Sequence, residues 1–100
     1  MDNTLEKIKA DIKTHRIILF MKGSKLMPSC GFSSRVVAIL NELEASFEAR
    51  NVLEDDDLRQ GIKDYSNWPT IPQLYIDGKF IGGCDIITEL YSNGELQKLV

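Results

Sequence analysis

The sequence predicts an α/β domain with a four-stranded mixed sheet that has helices on both faces. Helical and strand periodicities of apolar residues alternate along the chain, and the run Ile17–Met21 is apolar throughout, as in a central strand buried on both faces. Asp77-Gly78 between two apolar runs is a strong signal for a two-residue hairpin, and hence for an antiparallel pair. The chain has 100 residues, 43% of them hydrophobic, which fits a single domain over residues 1–100.

The first half of the chain predicts a helix, a strand, a helix and a strand. Asn3 followed by Glu6 is a helix-start pattern, and apolar residues recur at helical spacing to about Thr14. A second apolar helical stripe begins just behind Cys30 and consists of Val36, Val37, Ile39, Leu40 and Leu43. Residues 46–52 form a weaker strand pattern. Cys30 is therefore expected at a strand-to-helix junction, near the helix N-terminus.

The second half predicts a helix, a hairpin and two short helices. The acidic run 54–57 is typical of a helix N-terminus, with partner binding as a weaker alternative. The two hairpin strands lie on either side of Asp77-Gly78. A helix follows Gly82-Gly83, and Asn93-Gly94 separates it from a last short helix. The complete predicted order is α-β-α-β-α-β-β-α-α.

Composition and charge exclude several kinds of partner. The net charge is -3 and the pI is near 5.1, so there is no basic surface for nucleic acid or an anionic membrane. The longest apolar run is far shorter than the roughly 20 residues that cross a bilayer. The first residues lack the pattern of a secretory signal, and two cysteines without one indicate thiols in a reducing compartment. A cytoplasmic location is favoured, with an organelle matrix as the alternative if the chain is a processed form.

Cys30-Gly31-Phe32-Ser33 has the spacing of a redox Cys-x-x-Cys motif whose second thiol is replaced by a hydroxyl. Such a motif cannot close its own disulfide, which favours reaction with an outside thiol or a metal. A helix N-terminus lowers the pKa of a cysteine from about 8.5 to ~3.5–7.5, and Lys22 at the end of the central strand adds positive charge. Taken alone, the motif fits an unreactive loop cysteine equally well.

Two further segments have the residue types of a ligand site. Trp68-Pro69-Thr70-Ile71-Pro72 precedes a hairpin strand, and Ile71-Pro72 is the candidate for a cis bond that turns backbone groups toward an extended peptide ligand. The alternative is a rigid turn without a ligand. Cys84 and Asp85 begin a helix whose N–H groups suit a carboxylate, while Asp85 suits an ammonium group. An ordinary N-cap role for Asp85 is equally compatible with the sequence.

Three other residues have simpler interpretations. Arg59 on the acidic helix can hold a second carboxylate, or it is a solvated surface charge. Trp68 either packs in the core or forms the wall of a ligand groove. His15 is expected to face solvent, because no cysteine or carboxylate spacing around it indicates a zinc site.

Together these motifs resemble a monothiol glutaredoxin of the CGFS type, and the resemblance covers nearly the whole chain. The motifs that carry it are Lys22-Gly23 with a longer loop before the cysteine, Cys30-Gly31-Phe32-Ser33, Trp68-Pro69-Thr70-Ile71-Pro72-Gln73 and Gly82-Gly83-Cys84-Asp85. The resemblance implies a thioredoxin-like (glutaredoxin) fold and a glutathione site.

The resemblance also implies where glutathione binds. Lys22 and Arg59 would face its glycine carboxylate, and Ile71 would pair with it through the backbone. Cys84 and Asp85 would lie at its γ-glutamyl end. Glutathione carries two carboxylates and one ammonium group, which agrees with the charges of these residues.

The ligand count links the motif to iron-sulfur chemistry. A 2Fe-2S cluster commonly takes four thiolates, whereas the chain has one well-placed cysteine, Cys30, and Cys84 belongs to the expected glutathione site. Two Cys30 thiolates from two subunits and two glutathione thiolates make four, which is also what the resemblance implies. The expected function is a cluster-bridged homodimer in iron-sulfur cluster assembly, storage or transfer, with unidentified donor and recipient proteins as partners.

Two other functions stay open. A glutathione-dependent thiol-disulfide oxidoreductase would work through a Cys30-glutathione mixed disulfide, which free glutathione can resolve without a second protein cysteine. Ser33 weakens this interpretation, so at most a weak enzymatic activity is expected beside the carrier role. An interaction domain without chemistry would need neither thiolate nor glutathione, and Cys30→Ser would then have no effect.

Overall fold

The computed structural model describes residues 3–100 of the chain. The order of helices and strands is the predicted one, with a short 3₁₀ helix added after the second strand. The elements are α1 (Thr4–Thr14), β1 (Ile17–Met21), α2 (Gly31–Glu42), β2 (Glu48–Asn51), the 3₁₀ helix Val52–Glu54, α3 (Asp56–Ser66), β3 (Gln73–Ile76), β4 (Lys79–Gly82), α4 (Cys84–Ser92) and α5 (Glu95–Leu99).

The four strands form one mixed sheet in the order β2-β1-β3-β4. β1 pairs parallel with β2 and antiparallel with β3, and β3 pairs antiparallel with β4. All five residues of β1 are buried, which confirms the central strand predicted from its unbroken apolar run. The hairpin between β3 and β4 is also confirmed, since Asp77 and Gly78 have φ values of 53° and 79°, the left-handed conformations that a two-residue turn requires.

Helices cover both faces of the sheet, as predicted. α1 and α3 pack together on one face, where Ile8, Ile12 and Ile62 are buried against Ile18, Phe20 and Tyr75. α2 and α4 pack on the other face. The apolar cluster there includes Val36, Val37, Leu40, Ile87 and Leu96 together with Leu19, Met21 and Leu74. Alternate residues of β1 and β3 therefore enter different clusters, as the pleat of a strand requires.

One local prediction needs correction, whereas the helix start predicted at the acidic run 54–57 is confirmed. Asn3 is the residue before α1, but its φ and ψ of -94° and 5° are not extended and its side chain makes no capping hydrogen bond. The acidic run instead supplies a cap, because Asp55 Oδ1 accepts a hydrogen bond of 3.1 Å from Leu58 N at the start of α3.

His15 is only partly exposed, which corrects the expectation that it faces solvent. Its Nε2 lies 3.3 Å from Arg50 Nη2 and 3.9 Å from Glu48 Oε2. Arg50 on β2 also forms a two-point contact with Asp11 on α1, at 3.0 Å for both nitrogen-oxygen pairs. His15 thus belongs to a charged cluster that joins α1 to the edge strand β2.

In residues 3–100, no helix is long and apolar enough to cross a membrane.

Candidate functional site

A cleft of about 360 Å³ opens at the end of the sheet where β1 leads into α2. Three segments that are distant in the sequence form its walls: the end of β1 and the start of α2, the segment between α3 and β3, and the start of α4. Its lining residues are Lys22, Phe32, Lys63, Trp68, Pro69, Thr70, Ile71, Pro72, Gly83, Cys84, Asp85 and Ile86. Of the predicted site residues, Lys22, Ile71, Cys84 and Asp85 meet here.

Cys30 lies beside this cleft, between Lys22 and Phe32, which line it. It is the N-cap residue of α2, as predicted, and its Sγ accepts a hydrogen bond of 3.4 Å from the backbone N–H of Ser33. The Ser33 hydroxyl lies 3.3 Å from the same sulfur. That hydroxyl also accepts a hydrogen bond of 3.1 Å from Lys22 N, so it links the end of β1 to the first turn of α2. Ser33 is completely buried.

The environment of Cys30 favours the thiolate. Partial burial alone would raise the pKa of the Cys30 thiol, because it removes water from the charged form. Hydrogen bonds from the Ser33 hydroxyl and from the N–H groups of Ser33 and Phe32, together with the charge of Lys22, outweigh that effect. The net result is a pKa of Cys30 below its ordinary value, as expected for a reactive thiol at a helix N-terminus.

The loop before Cys30 is held by backbone hydrogen bonds. Ser29 N donates to Lys22 O at 2.9 Å, and Ser24 N donates to Met27 O at 3.1 Å. Gly23 has a φ of 90°, and a Cβ there would lie 2.4 Å from Ser29 N, so only glycine fits. Gly23 N donates to the side chain of Asn51 at the end of β2 at 2.9 Å. This loop therefore fixes the position of Cys30 relative to the sheet.

The peptide bond between Ile71 and Pro72 is cis, as predicted from the sequence. Ile71 is buried and lines the cleft together with Trp68. Trp68 stays 36% exposed, and its ring lies 5.7 Å from that of Phe80. Of the two interpretations of Trp68, the wall of a groove is therefore the one that the structure favours.

The start of α4 forms the opposite wall. Gly83 is the N-cap residue and Asp85 lies in the first turn of the helix, so the N-cap interpretation of Asp85 is wrong. Gly83 packs closely on the other wall, because a Cβ there would lie 3.4 Å from both Pro72 O and Trp68 Nε1. Cys84 is a free thiol whose sulfur lies 4.0 Å from Thr88 Oγ1.

The cleft lining differs from the predicted site at three residues: Arg59 is absent, and Lys63 and Phe32 are added. Arg59 does not line the cleft, whereas Lys63, one helical turn further along α3, does. The spacing of four residues places both cations on one face of the helix, so the sequence contains a signal for Lys63 as well as for Arg59. Phe32 is the other addition, with its side chain 64% exposed beside Cys30.

Comparisons with known proteins identify relatives that cover nearly the whole chain. The glutaredoxin family model matches residues 17–81. An uncharacterized monothiol glutaredoxin of Synechocystis sp. is 56% identical over 97 residues, which cover 97% of this chain and 91% of that protein. A chloroplastic monothiol glutaredoxin of rice is 54% identical over 98 residues, or 98% of this chain but only 56% of that longer protein.

Solved structures show the same fold. The solution structure of reduced poplar apo GrxS14 matches with a TM-score of 0.81 and 56% identity, over 93% of this chain and 85% of that one. The crystal structure of a buckwheat glutaredoxin-glutathione complex matches with a TM-score of 0.85 and 25% identity, over 96% of this chain and 86% of that one. The fold is thus thioredoxin-like, and the chain belongs to the glutaredoxin family, among its monothiol members.

Proposed function

We propose that this monothiol glutaredoxin binds glutathione in the cleft beside Cys30 and, as a homodimer, carries a bridging 2Fe-2S cluster. Its role would be the assembly, storage or transfer of iron-sulfur clusters, with the cluster as cargo. The observation that carries the proposal is a single cysteine, Cys30, held at a helix N-terminus next to a cleft with positive charge on one side and an acidic residue on the other.

Glutathione fits the charges of the cleft. The ammonium groups of Lys22 and Lys63 suit its glycine carboxylate, and Arg59, one turn away on α3, adds to the positive field. Ile71 would pair with the peptide through its backbone, next to the cis bond. At the other wall, the first turn of α4 would bind the γ-glutamyl carboxylate, and Asp85 its ammonium group. The buckwheat relative of the same fold was crystallised as a glutathione complex.

The metal-binding side chains of this protein suit a cluster that two subunits share better than a cluster that one chain binds alone. Within residues 3–100, no three side chains of His, Cys, Asp or Glu come together in a way that could hold a metal ion. Cys84 lines the cleft that glutathione would fill. Four thiolates are therefore reached with two Cys30 side chains and two glutathione molecules, in a dimer of this chain. Ligands that dissociate suit a carrier that passes its cluster to another protein.

A second function, thiol-disulfide exchange with glutathione, is favoured by the lowered pKa of Cys30 and by its partial exposure. The Cys30 thiolate would attack a glutathionylated protein thiol, release that thiol and keep the glutathione as a mixed disulfide. Free glutathione would then attack the mixed disulfide, restoring Cys30 and leaving as glutathione disulfide. This activity needs no dimer and no iron, so it can be separated from the carrier role by experiment.

Both cysteines are free thiols, which fits a reducing compartment. We therefore propose the cytoplasm, with an organelle matrix as the alternative, since the rice relative carries the description chloroplastic.

Anaerobic reconstitution with iron, sulfide and glutathione tests the proposal. We expect visible absorption of a 2Fe-2S cluster and the molecular mass of a dimer. Cys30→Ser should give a colourless monomer, whereas the matched variant of the other cysteine, Cys84→Ser, should keep the colour. A colourless wild-type protein that rapidly turns over a glutathione mixed disulfide would refute the carrier role in favour of the oxidoreductase.

A further inference from the structure

Gln73 is a completely buried amide directly behind the cleft, and neither glutathione binding nor cluster ligation uses it. It is the first residue of β3 and follows the cis bond of Pro72. Apart from Ser33, it is the one fully buried polar side chain in the part of the chain that the structure describes. A buried amide is costly unless each of its polar atoms has a partner, so its contacts require an explanation.

Those contacts are carbonyl oxygens of the cleft wall. Gln73 Nε2 donates to Trp68 O at 3.3 Å and to Thr70 O at 3.2 Å. The wall lies between α3 and β3, outside any helix or strand, and Pro69 and Pro72 bring no N–H donors to it. The side-chain amide of Gln73 therefore supplies hydrogen bonds that regular secondary structure would otherwise provide.

Tyr75 fixes which way the amide points. Its hydroxyl donates to Gln73 Oε1 at 3.1 Å, which leaves the NH₂ group facing the two carbonyls. Tyr75 is itself immobilised by rings of Phe20 and Phe80, whose centroids lie 5.8 and 5.4 Å from its own. Burial, the main cause, raises the pKa of Tyr75 to about 12, so the hydroxyl remains a donor throughout the neutral range.

We propose that Gln73 is a positioning residue of the ligand cleft: oriented by Tyr75, its amide fixes the backbone from Trp68 to Thr70 and so shapes the wall that receives a thiol-containing tripeptide. The link to the tripeptide rests on the proposed function. The network connects the aromatic interior, where Phe80 contacts both Tyr75 and Trp68, to the backbone of the wall. A wall that is already in place lowers the entropic cost of binding.

Three substitutions test this role. Gln73→Glu keeps the shape of the side chain and the acceptor for Tyr75 but places oxygen against the two carbonyls at neutral pH. Gln73→Met keeps the volume and removes all three hydrogen bonds. Tyr75→Phe removes the hydroxyl that orients the amide, together with the hydrogen bond of that hydroxyl with Ser66. The matched control is Ile76→Val, on the same strand but in the apolar cluster of the opposite face, where it lowers stability without touching the wall.

Two measurements apply to each variant: glutathione affinity by calorimetry, and the emission of Trp68, the only tryptophan of the chain, in the glutathione-free protein. We expect glutathione to bind about tenfold more weakly to both Gln73 variants and about threefold more weakly to Tyr75→Phe. Trp68 emission should shift to longer wavelength in the Gln73 variants only. Ile76→Val should keep wild-type affinity and emission.

Wild-type affinity and emission in folded Gln73→Glu or Gln73→Met would overturn the proposal, as would losses no larger than those of Ile76→Val. If the wild-type protein itself failed to bind glutathione, the proposed function would fail instead. The emission of Trp68 without ligand would then still decide whether Gln73 positions the wall.

Discussion

Ser33 stabilises the Cys30 thiolate, although the sequence presents it mainly as a missing second thiol. Its backbone N–H and its hydroxyl both contact Cys30 Sγ, at 3.4 and 3.3 Å. Because Lys22 N donates to the same hydroxyl at 3.1 Å, the proton of the hydroxyl is free to point at the sulfur. A serine in this position removes the internal disulfide and keeps the thiolate available for an external ligand.

Ser33→Ala should raise the pKa of Cys30, because it removes the hydroxyl hydrogen bond that stabilises the thiolate. The rate of alkylation of Cys30 follows the thiolate fraction and therefore rises with pH through this pKa. We expect that rise to move to higher pH in the variant. The rate as a function of pH, measured in a Cys84→Ser background, checks the shift. Ser34→Ala, at the exposed next position, should leave the profile unchanged, and an unshifted profile in Ser33→Ala would refute the role of the hydroxyl.

Lys63→Ala should weaken glutathione binding about as much as Lys22→Ala, roughly fivefold to tenfold, because both ammonium groups line the cleft. Arg59→Ala should have a smaller effect, since Arg59 lies one turn outside the lining and its charge is screened by water. Calorimetric titration compares the three variants with Lys79→Ala, an exposed cation at the start of β4. A large loss for Arg59→Ala with no loss for Lys63→Ala would contradict the charge arrangement of the cleft.

At the scale of elements, the junction of β4 and α4 determines where Cys84 and Asp85 lie. Gly82 ends β4 with a φ of 148°, and a Cβ there would be 2.8 Å from Ile86 Cβ on α4. The helix therefore approaches the strand more closely than any side chain at position 82 allows. This close approach brings the first turn of α4 against the wall formed by Trp68 and Pro72.

Gly82→Ala should lower the free energy of unfolding by about 2 kcal/mol, because the new methyl group overlaps Ile86 and the backbone conformation disfavours a side chain. Glutathione affinity should fall as well, since α4 must move away from the cleft. Denaturant unfolding and calorimetry measure the two effects. Gly31→Ala is the control, because a Cβ there meets no atom within 4 Å. Equal stability of Gly82→Ala and Gly31→Ala would contradict the packing described for this junction.

Most elements could be predicted because each carries a local signal. β1 is apolar throughout since both faces are covered, and Asp77-Gly78 is a turn whose two residues accept positive φ. The start of α1 after Asn3 was predictable, but the absence of a capping hydrogen bond from Asn3 was not, because it depends on the backbone conformation of that residue. The 3₁₀ helix Val52–Glu54 was missed as well, since it depends on the side chain of Asn51, which accepts a hydrogen bond from Leu53 N at 3.0 Å.

The site was predictable where residue types are distinctive, and less so where the partners are backbone atoms. Lys22, Ile71, Cys84 and Asp85 line one cleft, as their motifs indicated. The proposed positioning role of Gln73 could not be predicted from the sequence. Two of its hydrogen-bond partners are backbone carbonyl oxygens, which every residue has.

In the whole molecule, the site lies at one end of the sheet and draws on segments from both faces. α3 contributes Lys63 from one face, while α2 and α4 contribute Cys30 and Asp85 from the other. Cys30 is partly exposed at the edge of the cleft. In the proposed dimer, each copy of the chain would contribute its own Cys30 to the shared cluster.

We propose that the chain binds a cluster only as a dimer and only with glutathione. Native mass spectrometry of the anaerobically reconstituted protein counts these components directly. We expect one dominant species with the mass of two chains, one 2Fe-2S cluster and two glutathione molecules, and we expect this species to be absent in Cys30→Ser. A cluster on a single chain, a cluster-bearing dimer without glutathione, or no cluster at all would contradict the proposal.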